Sequence, residues 1–326
     1  RWTAIHNAEL HRWSVLRDTL EATATTFAAE GIRLVGLKNV SIANGLYPDG
    51  EGGRSLGEYG VVPMGDLDVL IDRRRFREAH ALLLESGWEL DSTNPGTDPA
   101  DLESGLAKGG TEYKKQVGDQ EVLFELQWRP VSGRWLRQDQ EPDGTQLVER
   151  AVPMAGSAAW MLEPTDNMLQ VALHTAKHAY CRAPGLRLHT DVERLALYSP
   201  PDWDQLIAGA RRLESCVAIW FSLGLSKMML DAPVPDHVLE ALAPPRQQID
   251  LLARILRRCD IFEPQQIKFD FATTIGFYAL LHDTPKRFLA TALDDDLSSI
   301  GPGAWPRIAK SAAGRVHYML FKRGRR

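Results

Sequence analysis

The chain has 326 residues, of which 44% are hydrophobic and 25% are charged, a composition typical of globular proteins rather than of disordered chains. Its formal net charge of −5 argues against a nucleic-acid partner. Three cysteines without a paired spacing indicate buried thiols in a reducing cytoplasm. The most apolar stretch, 216–230, is too short and too interrupted to cross a membrane, and no secretory signal is recognisable. We therefore expect a cytoplasmic protein without a membrane partner.

Helix and strand patterns alternate in the first 130 residues. Apolar residues recur at helical spacing over 7–29, and Gly31 is the expected stop. The apolar run 32–38 predicts a strand that feeds a helix capped by Asn39 or Ser41. The predicted elements that follow are a Gly-rich loop (48–60), an acidic strand (64–72), a helix (73–87), a strand (88–91), a polar loop (92–110) and a hairpin (111–117 with 121–128).

The second part of the chain has a different character, because helical patterns recur there without strand patterns between them. Six predicted helices occupy about 165–180, 188–198, 202–212, 216–230, 246–259 and 274–282. We therefore predict an α+β protein, in which a small mixed β-sheet with helices covers 1–130 and an all-helical domain covers 131–326.

Two carboxylates stand side by side in the predicted strand 64–72, MGDLDVLID. Successive side chains of a strand point to opposite faces, so Asp66 and Asp68 share one face. Like charges this close are costly to bury unless a cation lies between them or the site opens to water. Two hard oxygen ligands suit Mg²⁺ (or Mn²⁺), which fills its remaining positions with water and substrate phosphates. The alternative is that the two acids belong to an ordinary loop or cap.

Two further residues extend this hypothesis. Alternation in VLFELQW (122–128) places Glu125 on the face opposite Phe124, and a cluster of three acids can hold divalent ions. Lys38 lies where a strand feeds a helix, and a helix start favours an anion, so Lys38 is a candidate phosphate contact. The alternatives are a surface acid at Glu125 and a solvated lysine at Lys38.

Two histidines of the second part and four tryptophans of the chain can also be explained by structural roles. His174 and His178 stand four apart on a predicted helix, with Asp191 on the next helix. They either stabilise the helical domain by hydrogen bonds or line an acceptor pocket. Four tryptophans are expected to pack in the core or between domains: Trp128, Trp135, Trp160 and Trp220.

Taken together, these motifs resemble a known family. The motifs are LKN (37–39), MGDLDVLID (64–72), LESGWEL (84–90), FELQW (124–128), HTAKHAY (174–180) and LRLHTDVERL (186–195). Their series is similar to the uncharacterised nucleotidyltransferase family, a branch of the DNA-polymerase-β-type nucleotidyltransferase superfamily, and it covers most of 5–230.

The resemblance implies a small mixed sheet, a helical domain and a metal-dependent transfer of a nucleotidyl group from a nucleoside triphosphate (NTP) donor. The acceptor it implies is a hydroxyl or phosphate of a peptide or a saccharide. It implies that the metal ligands and catalytic acids are Asp66, Asp68 and Glu125. Residues implied in donor binding are Lys38, Asn39, Ser41 and Gly65.

The chain departs from the family pattern in three places. Relatives usually carry glycine at Asn39, an arginine near Val61 and Val62, and histidine at Gln127; Arg54 is the candidate replacement for the arginine. Two alternatives stay open at this point. One is a D-x-D glycosyltransferase that uses a nucleotide sugar, and the other is a non-catalytic relative that binds a nucleotide or a protein.

Overall fold

The computed structural model describes residues 2–45, 64–91, 106, 109–132, 136–266 and 269–293. These residues form two compact units. The sheet unit comprises the described residues up to Ser132, together with Pro142–Val171 and Glu193–Asp202, and the helical unit comprises the other described residues. The predicted α+β class is confirmed. The domain boundary at residue 130 stays a prediction, and the sheet itself takes two short strands from beyond it.

Seven strands of the described chain form one mixed sheet in the order β3-β4-β5-β2-β1-β7-β6. The strands are β1 (Val35–Gly36), β2 (Asp66–Leu70), β3 (Glu89–Leu90), β4 (Gly110–Val117), β5 (Gln120–Gln127), β6 (Val152–Pro153) and β7 (Trp160–Met161). Strand β2 runs parallel to β5, and β1 runs parallel to β7, whereas the other neighbouring pairs are antiparallel. The predicted hairpin is confirmed as the antiparallel pair β4 and β5.

The three predicted helices of the sheet unit are present, with one correction at the second of them, and a fourth helix was not predicted. The first four helices are α1 (Trp2–Ala29), α2 (Lys38–Gly45), α3 (Phe76–Glu85, after a 3-10 turn at Arg73–Arg75) and α4 (Gly144–Arg150). The prediction that Asn39 or Ser41 caps α2 is wrong, because the helix already begins at Lys38. Lys38 has a φ of +50°, and this left-handed residue turns the chain directly from β1 into α2. The predicted loop 48–60 lies outside the described residues.

The hydrophobic core of the sheet unit explains why the acids of β2 share one face. Leu67 and Val69 are buried in the larger core cluster, together with apolar side chains of α1, α3, β4 and β5. Leu70 points the other way, into a smaller cluster with Val35, Leu37 and residues of α4. Since side chains alternate along a strand, burial of Leu67 and Val69 fixes the direction of the two aspartates.

The second half of the described chain is helical, as predicted. Its helices are α5 (Pro164–Lys177), α6 (Arg187–Tyr198), α7 (Trp203–Arg212), α8 (Cys216–Leu230), α9 (Asp236–Leu242), α10 (Arg246–Leu256), α11 (Phe271–Leu281) and α12 (Pro285–Leu293). Within the helical unit Tyr180 packs against Phe221 and Phe277, with ring centroids 5.7 and 6.0 Å away. None of the helices described here is both long and apolar enough to cross a membrane.

The described tryptophans pack as expected, whereas the expectation of buried thiols holds for one cysteine of three. Trp128 is buried in the larger core cluster, and Trp160 packs against the smaller one. Trp220 packs edge-on against Phe221 in the helical unit. Trp135 lies outside the described residues. None of the three thiols forms a disulfide; Cys181 is buried as expected, whereas Cys216 and Cys259 are only half-buried.

Candidate functional site

The parallel pairing of β2 with β5 brings two of the predicted acids together. Asp68 lies directly opposite Glu125 in the strand register, and Asp66 lies opposite Leu123. Asp66 is exposed on the same face, whereas Asp68 is only 6% exposed. The sheet therefore places one buried, one half-buried and one exposed carboxylate on a single surface, which we call the acid face. Their role as metal ligands stays a prediction.

Asp68 is held by two donors that reach the same oxygen. The Lys38 ammonium nitrogen lies 2.6 Å from Asp68 Oδ1, and the Gln127 amide donates to that oxygen at 3.1 Å. Gln127 projects from β5 on the acid face, two residues after Glu125. A buried carboxylate is stable only when such donors compensate for its lost hydration. The sequence showed Gln127 only as a departure from the family, and its contact with Asp68 was missed.

Lys38 is the cation at the centre of this site. Its ammonium nitrogen also lies 3.9 Å from Glu125 Oε2, so it stands between the two carboxylates. Burial by itself would lower the pKa of Lys38, but the charges of Asp68, Glu125 and Asp66 outweigh burial and raise that pKa. Lys38 is therefore charged at neutral pH. Its predicted contact with phosphate is untested, and without a phosphate it pairs with acids.

The acid face continues over two strands that the sequence did not implicate. In the antiparallel register of β4 and β5, Glu112 lies opposite Glu125. The Asp91 backbone N–H donates to the Glu112 carbonyl at 3.0 Å, so Asp91 continues this row beside β4. Lys114 Nζ lies 3.9 Å from Asp91 Oδ1. The predicted hairpin left three residues, 118–120, for its turn, whereas the turn has only two, 118–119, and a two-residue turn fixes which residues pair along the hairpin.

Arg12 from α1 fixes the backbone just before the two aspartates. Its guanidinium donates to the Met64 carbonyl at 2.9 Å and to the Gly65 carbonyl at 2.6 Å. A third contact, at 3.3 Å, reaches the Gln120 side chain at the start of β5. Arg12 therefore ties the beginnings of β2 and β5 to the long helix. Gly65 is exposed, and a Cβ placed there would meet nothing within 4 Å.

The other predicted donor-binding residues lie inside α2. The Ser41 hydroxyl is fully buried and accepts a hydrogen bond from the Asn167 amide at 3.0 Å. Asn39 Oδ1 is buried and has no hydrogen-bond partner among the described residues. Ser41 thus contributes to packing in this arrangement, whereas Asn39 offers a polar atom to a further group. The role of both residues in donor binding remains a prediction, and Arg54 lies outside the described residues.

The candidate histidines belong to the helical unit. His174 and His178 lie on and just after α5, and their ring centroids are 4.6 Å apart. Asp191 is buried on α6. In the parts of the chain that the structure describes, no group of three or more His, Cys, Asp or Glu side chains is arranged to hold a metal ion. The choice between a structural role and a pocket role for these histidines stays open.

Comparison with known proteins identifies the family of the chain. The family model described as uncharacterised nucleotidyltransferase matches residues 1–231, which is most of the chain. The chain belongs to this family. No curated protein and no solved structure gave a match. The matched region contains Lys38, both aspartates of β2 and Glu125, and membership in the family indicates an enzyme of the nucleotidyltransferase type.

Proposed function

We propose that the chain is a metal-dependent nucleotidyltransferase, which transfers a nucleotidyl group from an NTP to a hydroxyl or phosphate of a peptide or saccharide acceptor. The observation that carries this proposal is the register of β2 and β5, which sets Asp68 beside Glu125 with Asp66 on the same face. Membership in the nucleotidyltransferase family supports it. Three carboxylates on one face of a small sheet suit an enzyme that must manage the charge of a triphosphate.

The chemistry of the acid face suits a divalent metal ion, although its described acids are not arranged as a ready-made metal-binding group. Carboxylate oxygens are the ligands that Mg²⁺ and Mn²⁺ prefer, and the Lys38 ammonium group already lies between two of them. The site is therefore one in which positive charge is stabilised. Asp66, Asp68 and Glu125 would hold the ion. Once bound there, such an ion would neutralise phosphate charge and lower the pKa of an attacking hydroxyl.

In the proposed reaction an oxygen of the acceptor forms a bond to the α-phosphorus of the NTP. The bond from that phosphorus to the bridging oxygen breaks, pyrophosphate leaves with the electron pair, and a hydroxyl acceptor releases its proton to solvent. The chain contributes position and charge. Gln127 and Lys38 hold Asp68 in place, and Arg12 fixes the backbone at Met64 and Gly65. Such positioning supplies much of the rate gain in phosphoryl chemistry.

A second candidate is the non-catalytic relative. The observation that favours it is the Lys38–Asp68 ion pair, which satisfies the buried carboxylate without any metal ion. A chain that had lost its chemistry would keep such a pair, because an uncompensated buried aspartate would destabilise the fold. This candidate predicts a folded protein that binds a nucleotide or a protein partner and forms no nucleotidylated product.

Intact mass spectrometry distinguishes the two candidates. The protein is incubated with each NTP, Mg²⁺ or Mn²⁺, and peptide or saccharide acceptors, and the products are weighed. The proposal expects an acceptor that gains the mass of one nucleotidyl group, and it expects pyrophosphate in equal amount. A protein that binds Mg²⁺·NTP yet yields no product with any acceptor class supports the non-catalytic relative.

Binding of Mg²⁺·NTP, followed by calorimetry, tests the site itself. The variant Asp66→Asn with Asp68→Asn removes both carboxylates of β2, and we expect binding to be lost. The matched control is Asp18→Asn with Asp119→Asn, which removes two exposed carboxylates outside the acid face. Undiminished binding by the first variant would show that the metal and the triphosphate are held elsewhere.

A further inference from the structure

Lys38 occupies the place on the acid face where a cation interacts with two carboxylates at once. Asp68 and Glu125 are register neighbours on parallel strands. The ammonium nitrogen lies 2.6 Å from the first and 3.9 Å from the second. The Lys38 side chain is 12% exposed, so this contact is largely shielded from water. A metal ion bridging the two carboxylates would need the position that the ammonium group holds.

The backbone at Lys38 is left-handed, as it is at five other non-glycine residues of the described chain, and it determines where the lysine side chain starts. Its φ of +50° lies in the left-handed region, which residues with a Cβ adopt only at a cost in free energy. Glycine or asparagine adopts this conformation more readily than lysine does. The asparagine of this segment, Asn39, nevertheless lies one residue later. Strained backbone of this kind often occurs at binding and catalytic sites. Here it places a long, flexible cationic side chain directly beside Asp68.

The charges around Lys38 make the ammonium group exchangeable. Its neighbours include three acids, Asp66, Asp68 and Glu125, whose charges all act on the ammonium group. A lysine side chain carries a compact charge on a flexible four-carbon chain. The charge can therefore move to a new anion, because it does not require one fixed geometry. A divalent ion brings more charge to the carboxylates, and a triphosphate brings a new partner for the ammonium group. The metal ion and the triphosphate together can therefore replace the ion pairs that the carboxylates and Lys38 give up.

We propose that Lys38 is an exchangeable counter-cation, which holds Asp68 and Glu125 in the absence of donor and yields its place to the metal ion when the triphosphate arrives. The ammonium group then pairs with a phosphate oxygen. The metal ion consequently binds weakly alone and tightly with the triphosphate, so the acids are not loaded before the donor is present. This inference rests on the proposed function.

Direct titration of Mn²⁺, followed by the electron paramagnetic resonance signal of the free ion, tests the exchange without any turnover. The proteins are the wild type and Lys38→Met, each with and without a non-hydrolysable NTP analogue. The matched control is Lys114→Met, which removes a lysine from the same sheet face beside Asp91. Asp68→Asn, which removes a proposed ligand, serves as the negative reference.

We expect Lys38→Met to bind Mn²⁺ without the analogue at least about tenfold more tightly than the wild type, because a nearby positive charge has been removed. Lys114→Met should bind it about as weakly as the wild type. The analogue should tighten Mn²⁺ binding strongly in the wild type and much less in Lys38→Met. If Lys38→Met fails to fold, Lys38→Asn replaces it, since asparagine accepts a left-handed backbone.

Two results would overturn the inference, and they differ in what they say of the proposed function. In the first result, the wild type and Lys38→Met bind Mn²⁺ equally well and Asp68→Asn does not bind it. The metal site would then be supported, and the proposed exchange with Lys38 would be wrong. Absence of Mn²⁺ binding in every protein, with and without the analogue, would remove both the exchange and the proposed metal-dependent reaction.

Discussion

Two buried polar clusters, one in each unit, differ in whether their groups carry charge. In the sheet unit the Asp68 carboxylate is held by the Lys38 ammonium group and the Gln127 amide. In the helical unit the His189 ring lies 2.7 Å from the Tyr180 carbonyl and 3.3 Å from the Ser226 hydroxyl. The first cluster consists largely of ions, and the second consists of neutral groups when His189 is unprotonated.

The difference teaches how to separate a binding site from a structural network. Neutral groups that satisfy one another inside a fold gain nothing from a further ligand. A buried charge is costly to desolvate, and a buried pair is often no more stabilising than apolar residues of similar volume. Lys38 and Asp68 are therefore poorly explained by stability alone. A site that exchanges one cation for another explains both the charge and its place on the acid face.

The largest effect is expected at Glu125, the half-buried acid beside Asp68. Glu125→Gln keeps the shape of the side chain and removes the charge that would orient the metal ion on the acceptor. We expect the single-turnover rate to fall at least about a hundredfold, with nearly unchanged NTP affinity. Glu121→Gln is the control, since Glu121 lies on the same strand and face but is exposed. A Glu125→Gln rate equal to that of the control would make Glu125 a surface acid.

The next largest effect is expected at Gln127, where a substitution should lower the stability of the fold. Its buried amide donates to a charged oxygen of Asp68, and a hydrogen bond to a charged group contributes about 2 kcal/mol. Gln127→Met fills a similar volume without a donor, so the free energy of unfolding in urea should fall by about that amount. Gln116→Met tests the comparison, because Gln116 is exposed and its amide donates to the Gly118 carbonyl in its own turn. An equal, small change in both variants would show that Asp68 does not need its amide donor.

A smaller effect is expected in the neutral cluster. The Tyr180 hydroxyl is buried and donates to the Ala218 carbonyl at 3.1 Å. Tyr180→Phe leaves that carbonyl without this donor and should lower the free energy of unfolding by about 1 kcal/mol. Binding of Mn²⁺ and of Mg²⁺·NTP should not change. Tyr278→Phe, which changes a half-buried ring that packs edge-on against Phe277, should lower the free energy of unfolding by less. Weakened metal binding in Tyr180→Phe would erase the distinction between the clusters.

The two clusters also show what a sequence can predict. Alternation along β2 placed Asp66 and Asp68 on one face, because that pattern depends only on neighbouring residues. The pairing of β2 with β5 joins residues more than fifty positions apart, and alternation alone does not determine it. Family resemblance supplied that link for Glu125. It did not supply the contact of Lys38 with Asp68, because the prediction assigned Lys38 to a phosphate of the substrate.

Short elements escaped the sequence analysis for a related reason. Strand β6 has only two residues, one of them Pro153, and no periodic pattern can be recognised in two residues. Helices α4 and α9 have seven residues each, which is about two turns. Their stability comes from packing, as when Gly144 lies so close to the Trp128 carbonyl that a Cβ would be 2.0 Å away. Such contacts are set by the whole fold.

The smallest effect concerns the response of the neutral cluster to pH. Burial lowers the pKa of His189 below its usual value, while the hydrogen bond to the Tyr180 carbonyl raises it and offsets part of this shift. Because that carbonyl accepts, Nε2 carries the hydrogen, and acid would add a proton at Nδ1, which faces the Ser226 hydroxyl. The folded state therefore binds this proton less readily than the unfolded state does.

Stability follows from that difference with a definite sign. Above the unfolded pKa of His189, about 6.5, the ring is neutral in both states, and its contribution to stability is fully present. As pH falls through that value the unfolded chain takes up the proton first, so the free energy of unfolding decreases. Urea unfolding of the wild type between about pH 5.5 and 7.5 should show this decrease, and His189→Asn should reduce its slope. Carboxylates titrate mainly below this window and contribute little to the difference. Identical slopes in the two proteins would mean that His189 already accepts a proton in the folded state, and the helical cluster would then carry charge as the acid face does.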